Sequence, residues 1–453
     1  MKTINGIILL IALMASQISY TQRAKDGDYI ASTTDNIINS YTFLTSDAAV
    51  GTNSILVDDN AMIGGVFTND LAAGDLILII QMQGADIAVS TGTVDNGFGN
   101  YTVPPFPQYD FWNQSDWRNY IDIWGGISSY NNAGKFEKVE VLSVTGSNTI
   151  LLQCNLNNDY SESGKVQVVR IPRFDNLTVN GGLNSIIPEL WDGQTGGIVA
   201  VEVDTELNVA TNSSISASEF GFRGGEVDPV GITGIASGYD NVSFLGTSDP
   251  AEGSEKGEGI FGFHTELDLI YSRYGISGAA NGGGGAGYTN AGGGGGSNIG
   301  TGTYTGDGIP QDIATFGAPL NFVPIWNLET PPIGGVISSG GGRGGYTIAS
   351  NDLDETVFGP RDPLWGDDGR RNNGGRGGHP LTYDINRTFF GGGGGAGDQD
   401  SDQAGSGGRG GGIVFITSYG SIVGDGIIEV NGQDGQNSNP LDLPVSRSIT
   451  TLA

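Results

Sequence analysis

Five blocks of consecutive glycines constrain this chain more than any other feature of its sequence. They lie at 282–285, 292–296, 340–342, 391–395 and 410–412. Glycine has no Cβ and loses more backbone entropy on folding than any other residue. Two explanations for such blocks compete, namely flexible linkers and closely packed, ordered backbone.

The surroundings of the blocks favour order. Polyproline-II-like chains have three residues per turn, and they pack backbone to backbone only where no Cβ intervenes. The blocks are short, alternate with apolar runs such as 413–416, and follow aromatic residues such as Phe389 and Phe390. A linker is instead continuous and poor in aromatic residues. The sequence therefore predicts packed polyglycine segments of the polyproline-II type.

Apolar runs bounded by turn-forming residues predict β-strands along the rest of the chain. They lie at 76–82, 138–144, 149–154, 165–171, 198–203 and 413–417, and the sequence TGSN at 145–148 predicts a hairpin. No long helical periodicity is present. The sequence therefore predicts an all-β protein.

An internal repeat indicates how some of these strands are related. The sequence GGIV at 196–199 recurs at 411–414. The apolar residues after the first copy match those after the second with a gap of one residue: Leu207, Ile215 and Ala217 against Ile422, Ile428 and Val430. Such copies are rungs of a β-solenoid or equivalent strands of a β-sandwich, and both alternatives remain open.

The N-terminus has the layout of a signal peptide. Lys2 precedes an apolar run at 7–15, and small and polar residues follow as far as Gln22. The run is too short to span a bilayer, and no later run is long enough. We expect a signal peptide at 1–22, an N-terminal β domain at 23–175, and a glycine-rich β module at 176–453 with repeat copies near 196–221 and 411–435. The expected location is secreted or at the outer cell surface, without a membrane span.

Charge and cysteine content exclude several classes of protein. The chain has 20 basic and 50 acidic residues, a net charge of −30. Nucleic acid is excluded as a partner because its recognition needs a basic surface, and anionic membranes are disfavoured for the same reason. Cys154 is the only cysteine, so no intramolecular disulfide forms. Its place in the apolar run 150–156 predicts a buried, unreactive thiol.

The segment 90–132 is dense in aromatic residues and has little periodicity, which predicts a long ordered loop on the N-terminal domain. Exposed rings offer apolar faces on which sugars stack. The candidate ligand-contact residues are Tyr101, Tyr109, Trp112, Trp117 and Trp124. The alternative is that these rings pack as a lid or as part of the core.

Catalytic motifs are largely missing from the sequence. The only histidines are His264 and His379, and neither stands in a motif that supplies a nucleophile and an orienting group, so we expect each to be a surface or turn residue. One cysteine and two isolated histidines do not make a zinc site. Two carboxylates could hydrolyse a glycoside, but nothing selects a pair among 50. We therefore expect a non-catalytic structural or adhesive protein; the alternative is a carbohydrate-active enzyme, a lyase or a glycoside hydrolase, on a β-solenoid.

One acidic segment predicts a possible cation site. Asp398, Asp400 and Asp402 occupy every second position, as carboxylates do in calcium loops. The EF-hand pattern then fails, because Gln403 stands where glycine is required and Arg409 where the bidentate glutamate belongs. A looser calcium site and a solvated loop are the two alternatives, and no other cofactor is expected.

The glycine-rich phrases as a whole resemble a known class of secreted proteins. The phrases FFGGGGGAG and GGRGGGIVFITSYGSIVGDGIIEVNGQDG, with AAGDLILIIQMQGADI nearer the N-terminus, are similar to modules of large secreted proteins from Bacteroidetes-type bacteria. That resemblance implies gliding motility, surface adhesion and type IX secretion. From the signal peptide, the glycine blocks and the missing catalytic motifs we expect contact with cells, polysaccharide or a cell-surface protein. The chain departs from the pattern in showing no obvious C-terminal sorting domain.

Overall fold

The computed structural model describes residues 22–88, 92–95, 100–103, 125–227, 250, 253–275, 277–287, 291–298, 341, 344, 374–382, 385–398 and 404–437, with backbone alone at 92–95 and 100–103. The strands in chain order are β1 (Tyr29–Ala31), β2 (Ser40–Phe43), β3 (Ser54–Leu56), β4 (Leu76–Gln81), β5 (Asp86–Ile87), β6 (Gly92–Asp95), β7 (Asn100–Val103), β8 (Ile127–Ser129), β9 (Phe136–Thr145), β10 (Thr149–Leu152), β11 (Val166–Ile171), β12 (Arg173–Val179), β13 (Ser185–Ile186), β14 (Ile198–Val209), β15 (Ser214–Ser216), β16 (Ile413–Ser418), β17 (Ser421–Val423) and β18 (Ile427–Glu429). A single-turn 3₁₀ helix (Glu162–Gly164) and α1 (His264–Leu269) complete the described elements. The all-β prediction is confirmed.

Six antiparallel strands curl into a barrel in the order β2-β11-β4-β9-β10-β3. The two edge strands meet where Leu44 bridges Val57, and the amide of Asp58 donates to the carbonyl of Phe43 over 3.1 Å. The predicted hairpin joins β9 to β10, with Thr145 opposite Thr149. The barrel is therefore closed by hydrogen bonds around its whole circumference.

Strand β4 is buried on both faces, which explains its uninterrupted apolar sequence. Because strand side chains alternate between faces, Ile77 and Ile79 pack inside the barrel. Leu78 and Ile80 point the opposite way and join a second core outside the barrel. The outer wall of the barrel is thus an interior surface of the molecule.

Two parallel sheets form the next part of the fold. One has the order β1-β12-β14-β16, with β17 also paired to β14, and the other has the order β13-β15-β18. Each passage of the chain through both sheets, which we call a pass, lies in parallel register on its neighbour. The core of this parallel stack is aliphatic, with Leu177, Val201 and Leu207 among its buried residues.

The two repeat copies lie side by side in the stack. Ile198 pairs with Ile413, Leu207 with Ile422, and Ile215 with Ile428. Eight positions separate Leu207 from Ile215 (215 − 207) and six separate their partners (428 − 422), so the gap between the copies is two residues and not one. The two copies of the repeated sequence therefore form two neighbouring passes of the parallel stack.

The last pass is less covered than the one before it. Leu207 and Ile215 have no exposed surface, whereas their partners Ile422 and Ile428 are 59% and 48% exposed. Strands β16, β17 and β18 lie at the sheet edges. The exposure follows from position in the stack, because no further strand of the described residues packs over this end.

The glycine blocks that the structure describes in full, at 282–285, 292–296, 391–395 and 410–412, belong to an ordered bundle around the segment 391–398. Successive backbone amides of this segment donate to three different neighbouring segments of the same polypeptide, over 2.7 to 3.0 Å. Every third amide donates to the same neighbouring segment. Gly391, Gly394 and Gly397 donate, in that order, to the carbonyls of Gly411, Gly408 and Gly405. Gly392, Gly395 and Asp398 donate to those of Ser297, Gly294 and Ala291. Gly393 and Ala396 donate to those of Glu258 and Glu255. This three-residue period is that of polyproline-II-like chains and confirms the predicted packing.

Glycine is required in the bundle because neighbouring backbone leaves no space for a Cβ atom, and not because the backbone has an unusual conformation. None of the glycines from 391 to 397 has a positive φ. A Cβ built on Gly393 would overlap the carbonyl of Arg223, and one on Gly395 would overlap that of Gly284. Alanine is therefore excluded by neighbouring backbone at these positions.

One large core joins the barrel, the stack and the bundle. It contains Leu78 of the barrel, Ile198 of the stack and Phe390 of the bundle, packed with Trp191. Polar groups reinforce the junction, since Arg173 in β12 binds Glu140 of β9 over 2.7 Å and Glu202 of β14 over 2.6 Å. Residue 175, where we expected a domain boundary, lies within β12, and the boundary stays a prediction.

Two expectations about single residues are wrong. Cys154 is exposed, because β10 ends at Leu152 after a register shift and the chain bends outward before Leu156. His379 is buried, since its amide donates to the carbonyl of Ala280 inside the bundle. Within the described part of the chain, no helix is long and apolar enough to cross a membrane.

Candidate functional site

Most of the residues selected from the sequence lie outside the described residues. Tyr109, Trp112, Trp117 and Trp124 do so, and Tyr101 is placed by its backbone alone, in β7 opposite β6. Their role as ligand contacts stays a prediction.

The calcium site is only partly described. Asp398 lies at the end of the central bundle segment and is largely buried, with its amide bound to the carbonyl of Ala291. Asp400 and Asp402 lie outside the described residues. Among the residues that are described, no group of three acidic, histidine or cysteine side chains is placed to hold a metal. Calcium binding stays a prediction.

A polar pocket of about 340 Å³ lies where the barrel meets the bundle. Gln83 and Lys165 line it from the barrel, 192–194 from the loop after β13, Arg223 from the bundle, and 263–266 from the start of α1. Five stretches of the sequence that are distant from one another therefore build one site.

The buried carboxylate of Glu258 fixes the inner side of this pocket. Its Oε1 accepts hydrogen bonds from Gln83 Nε2 (2.8 Å) and Arg223 Nη2 (3.1 Å). Its Oε2 accepts from Trp191 Nε1 (3.0 Å) and from Arg223 Nε and the Arg223 amide (2.9 Å each). Every acceptor direction is used, so Glu258 positions other groups and does not itself bind a ligand.

Arg223 keeps its charge in this setting. Burial works against the charged form, but the hydrogen bonds and charge of Glu258 raise the pKa of Arg223 above its ordinary value. The guanidinium also lies 4.6 Å from the centre of the Phe263 ring, within cation–π range. Arg223 thus couples the bundle to the aromatic wall of the pocket.

His264 has a partner that its sequence did not reveal. Its Nε2 lies 2.7 Å from Oε1 of Glu255, a nearly buried carboxylate whose Oε2 accepts the amide of Glu226 over 2.6 Å. The imidazole stacks on Phe263 and is 34% exposed. The two atoms are close, but Nε2 is buried and makes no aligned hydrogen bond. An imidazole in contact with a buried carboxylate is a candidate for proton transfer through its other nitrogen.

Two further carboxylates line the pocket in fixed positions. Asp192 Oδ1 accepts the amides of Gln194 (2.7 Å) and Thr195 (2.8 Å), which holds its loop in a tight turn. Glu266 Oε2 accepts the amide of Phe263 over 3.1 Å at the start of α1. In each carboxylate the second oxygen has no hydrogen-bond donor among the described residues and is available to a ligand.

Comparisons with known proteins give only weak likenesses. No protein-family model and no curated protein matches the sequence. The solved structures that match include the tailspike protein gp49 from Pseudomonas phage LKA1 and the tailspike gp61 from Pseudomonas phage phi297, each 14% identical with a TM-score of 0.16. They also include the Gp54 tailspike of Acinetobacter baumannii bacteriophage AP22 in complex with A. baumannii capsular saccharide, 15% identical with a TM-score of 0.16. These matches cover 40% to 42% of this chain and 23% to 31% of the tailspikes, so the chain spans less than a third of their length.

The expectation of a non-catalytic chain is contradicted. The three structures named above are tailspike proteins. The expectation rested on histidines without supporting groups, whereas His264 contacts Glu255. The exclusion of enzyme activity therefore does not hold.

Sequence reasoning missed the pocket because its members come together only in the fold. His264 and Glu255 are nine positions apart (264 − 255) in a region without regular periodicity. Gln83 and Lys165 belong to barrel strands or their ends, where polar residues carry no distinctive spacing. The one available signal was the placement of acidic residues inside glycine-rich sequence, as in 253–259.

Proposed function

We propose that this chain is an exported protein that contacts polysaccharide through the polar pocket between the barrel and the bundle. The observation that carries the proposal is the pocket itself, a cavity of about 340 Å³ with donors, acceptors and one aromatic ring held in place. Weak likeness to a tailspike solved with capsular saccharide is in keeping with it and adds no further weight.

The lining matches the chemistry of a sugar ring. Hydroxyl groups both donate and accept hydrogen bonds, and the free oxygens of Asp192 and Glu266 are acceptors for them. The Phe263 ring is buried against the His264 imidazole and the Arg223 guanidinium, so it holds these two side chains in the wall of the pocket. Because the backbone already orients both carboxylates, little side-chain entropy is lost on binding.

A glycan-binding measurement tests the proposal. The mature chain is applied to a panel of bacterial and plant polysaccharides, together with Asp192→Asn and Glu266→Gln variants. Loss of one charged hydrogen bond costs about 1.5–3 kcal/mol, so each variant should bind at least about tenfold more weakly. Asp58→Asn, at an exposed position away from the pocket, is the matched control. Equal binding by all four proteins, or no binding of any glycan, would sink the proposal.

A second candidate function is acid–base catalysis on the bound glycan, favoured by the contact between His264 and Glu255. Removal of a general acid or base lowers turnover by about 10²–10⁴-fold. We therefore expect His264→Gln to abolish detectable chain cleavage while glycan binding remains. Glu255→Gln should weaken cleavage through loss of imidazole orientation. If the wild-type protein binds a glycan and cleaves none of the panel, this candidate is excluded.

Export and surface location form the remaining part of the proposal. The apolar run at 7–15 and the resemblance to secreted glycine-rich proteins support them. Adhesion, gliding motility and type IX secretion are the settings that this resemblance implies. Fractionation of cells that produce the protein tests location, because recovery from the cytoplasm alone would exclude it.

A further inference from the structure

We propose that the pocket is selective for an anionic saccharide, whose acidic group lies between the Lys165 ammonium and the Gln194 side-chain amide. This inference rests on the proposed function and names the class of sugar that the same pocket takes. It comes from two donors in the lining that nothing else in the described structure uses.

Lys165 is the first of these donors. It follows the 3₁₀ turn with φ at 55°, and its backbone is fixed because its amide donates to Glu162 (3.1 Å) and its carbonyl accepts from Met82 (3.1 Å). Within the described residues its ammonium has no ion pair, although acidic residues outnumber basic ones by 50 to 20. An unpaired cation attracts a group of opposite charge, while the free carboxylate oxygens of Asp192 and Glu266 in the same lining repel it, so the anionic group is expected on the Lys165 side of the pocket.

Gln194 is the second donor. Its Nε2 is buried and has no acceptor. Its backbone is held in place, since the amide donates to Asp192 Oδ1 over 2.7 Å. A buried donor without an acceptor costs stability, so a ligand oxygen placed there recovers that cost on binding.

Two other nitrogen side chains of the lining are already engaged. Gln83 Nε2 donates to Glu258, and Arg223 donates to Glu258 and to the carbonyl of Asp192 over 3.1 Å. Besides the His264 imidazole, the side-chain nitrogen donors left for a ligand are one cation and one amide, and an oxyanion accepts hydrogen bonds from both types of group. The free oxygens of Asp192 and Glu266 require hydroxyl donors, so the ligand is an acidic sugar and not a simple acid.

A carboxylate of a uronic acid and a sulfate ester share this chemistry, and binding experiments separate them. Polygalacturonate, dextran sulfate and dextran of similar length are titrated into the mature wild-type chain at about 0.15 M salt, where charges beyond about 8 Å are screened. The same titrations use Lys165→Met and Gln194→Leu. Lys135→Met is the control, because it removes one positive charge outside the pocket. Thermal unfolding confirms that each variant is folded.

We expect an anionic glycan to bind and dextran to bind at least about tenfold more weakly. Lys165→Met and Gln194→Leu should each reduce anion binding about tenfold or more, with Lys135→Met unchanged. A loss confined to polygalacturonate or to dextran sulfate assigns the anion to carboxylate or to sulfate. If dextran binds as tightly as both polyanions and Lys165→Met has no effect, the anion site is excluded and the polysaccharide proposal stands. If no glycan binds, both are overturned.

Discussion

At the scale of single residues, Lys256 shows how tightly the bundle excludes water. The side chain has no exposed surface, and its ammonium donates to the carbonyl of Tyr274 over 2.7 Å. Burial lowers the pKa of Lys256 well below its ordinary value. Because the unfolded chain keeps its proton to higher pH than the folded one, this lysine lowers stability most below its folded pKa, and the penalty disappears as the pH rises to the unfolded pKa.

Lys256→Met should therefore remove a pH-dependent penalty. Between the lowered pKa of Lys256 and the ordinary lysine value of about 10.4, wild-type stability should rise relative to the variant by up to about 1.4 kcal/mol per pH unit. Urea unfolding of both proteins at several values from about pH 8 to 9.5 measures the difference. The comparison cancels the tyrosines that titrate nearby. A difference independent of pH would contradict the burial of the ammonium.

At the scale of elements, the bundle should tolerate no side chain at its centre. Gly393→Ala places a methyl group against the carbonyl of Arg223, and overpacking of this kind costs about 1–3 kcal/mol or more. Gly435→Ala is the control, since the nearest atom to its Cβ is the Ser406 carbonyl oxygen at 3.7 Å, an ordinary contact. Thermal unfolding should show a lower midpoint for the first variant alone. Equal unfolding midpoints would mean that the bundle accommodates the added methyl group without loss of stability.

The repeat supplies a second matched pair. Ile215 and Ile428 are partners in neighbouring passes, but the first is fully buried and the second is 48% exposed. Ile215→Ala should cost about 2–5 kcal/mol, as large-to-small changes in a core do. Ile428→Ala should cost less than half as much. If Ile428→Ala is as costly as Ile215→Ala, a further part of the molecule covers the last pass.

At the scale of the whole molecule, the bundle should be as rigid as the barrel. Each backbone amide from 391 to 398 donates to a carbonyl of another segment of the polypeptide. Hydrogen exchange of these amides requires the packed segments to separate. Hydrogen exchange on the mature chain should show slow exchange there and in β4, and fast exchange at the exposed turn around Gly182. Exchange at 391–398 as fast as at Gly182 would identify a flexible tether.

Local sequence predicted the elements better than their assembly. Apolar runs such as 76–82 located strands, and the glycine blocks predicted polyproline-II-like packing, because both depend on short-range composition. That β1 pairs with β12 across about 150 residues of chain is a long-range pairing that no local pattern encodes. The surroundings of His264 are likewise not encoded by a local pattern, because they include Glu255 and the barrel residues Gln83 and Lys165 that line the same pocket. Cys154 was misplaced because an apolar run does not reveal where its strand ends.

The position of 391–398 at the centre of the bundle has a consequence for the order of folding. Its neighbours include 223–225, 255–258 and 291–297, which are all synthesised earlier. The bundle therefore lacks its central segment until residue 398 has been synthesised. Closing such distant contacts is slow compared with local pairing. The barrel strands, complete by residue 171, have no such delay. Synthesis thus leaves a long interval in which all barrel strands are present while the bundle still lacks its central segment.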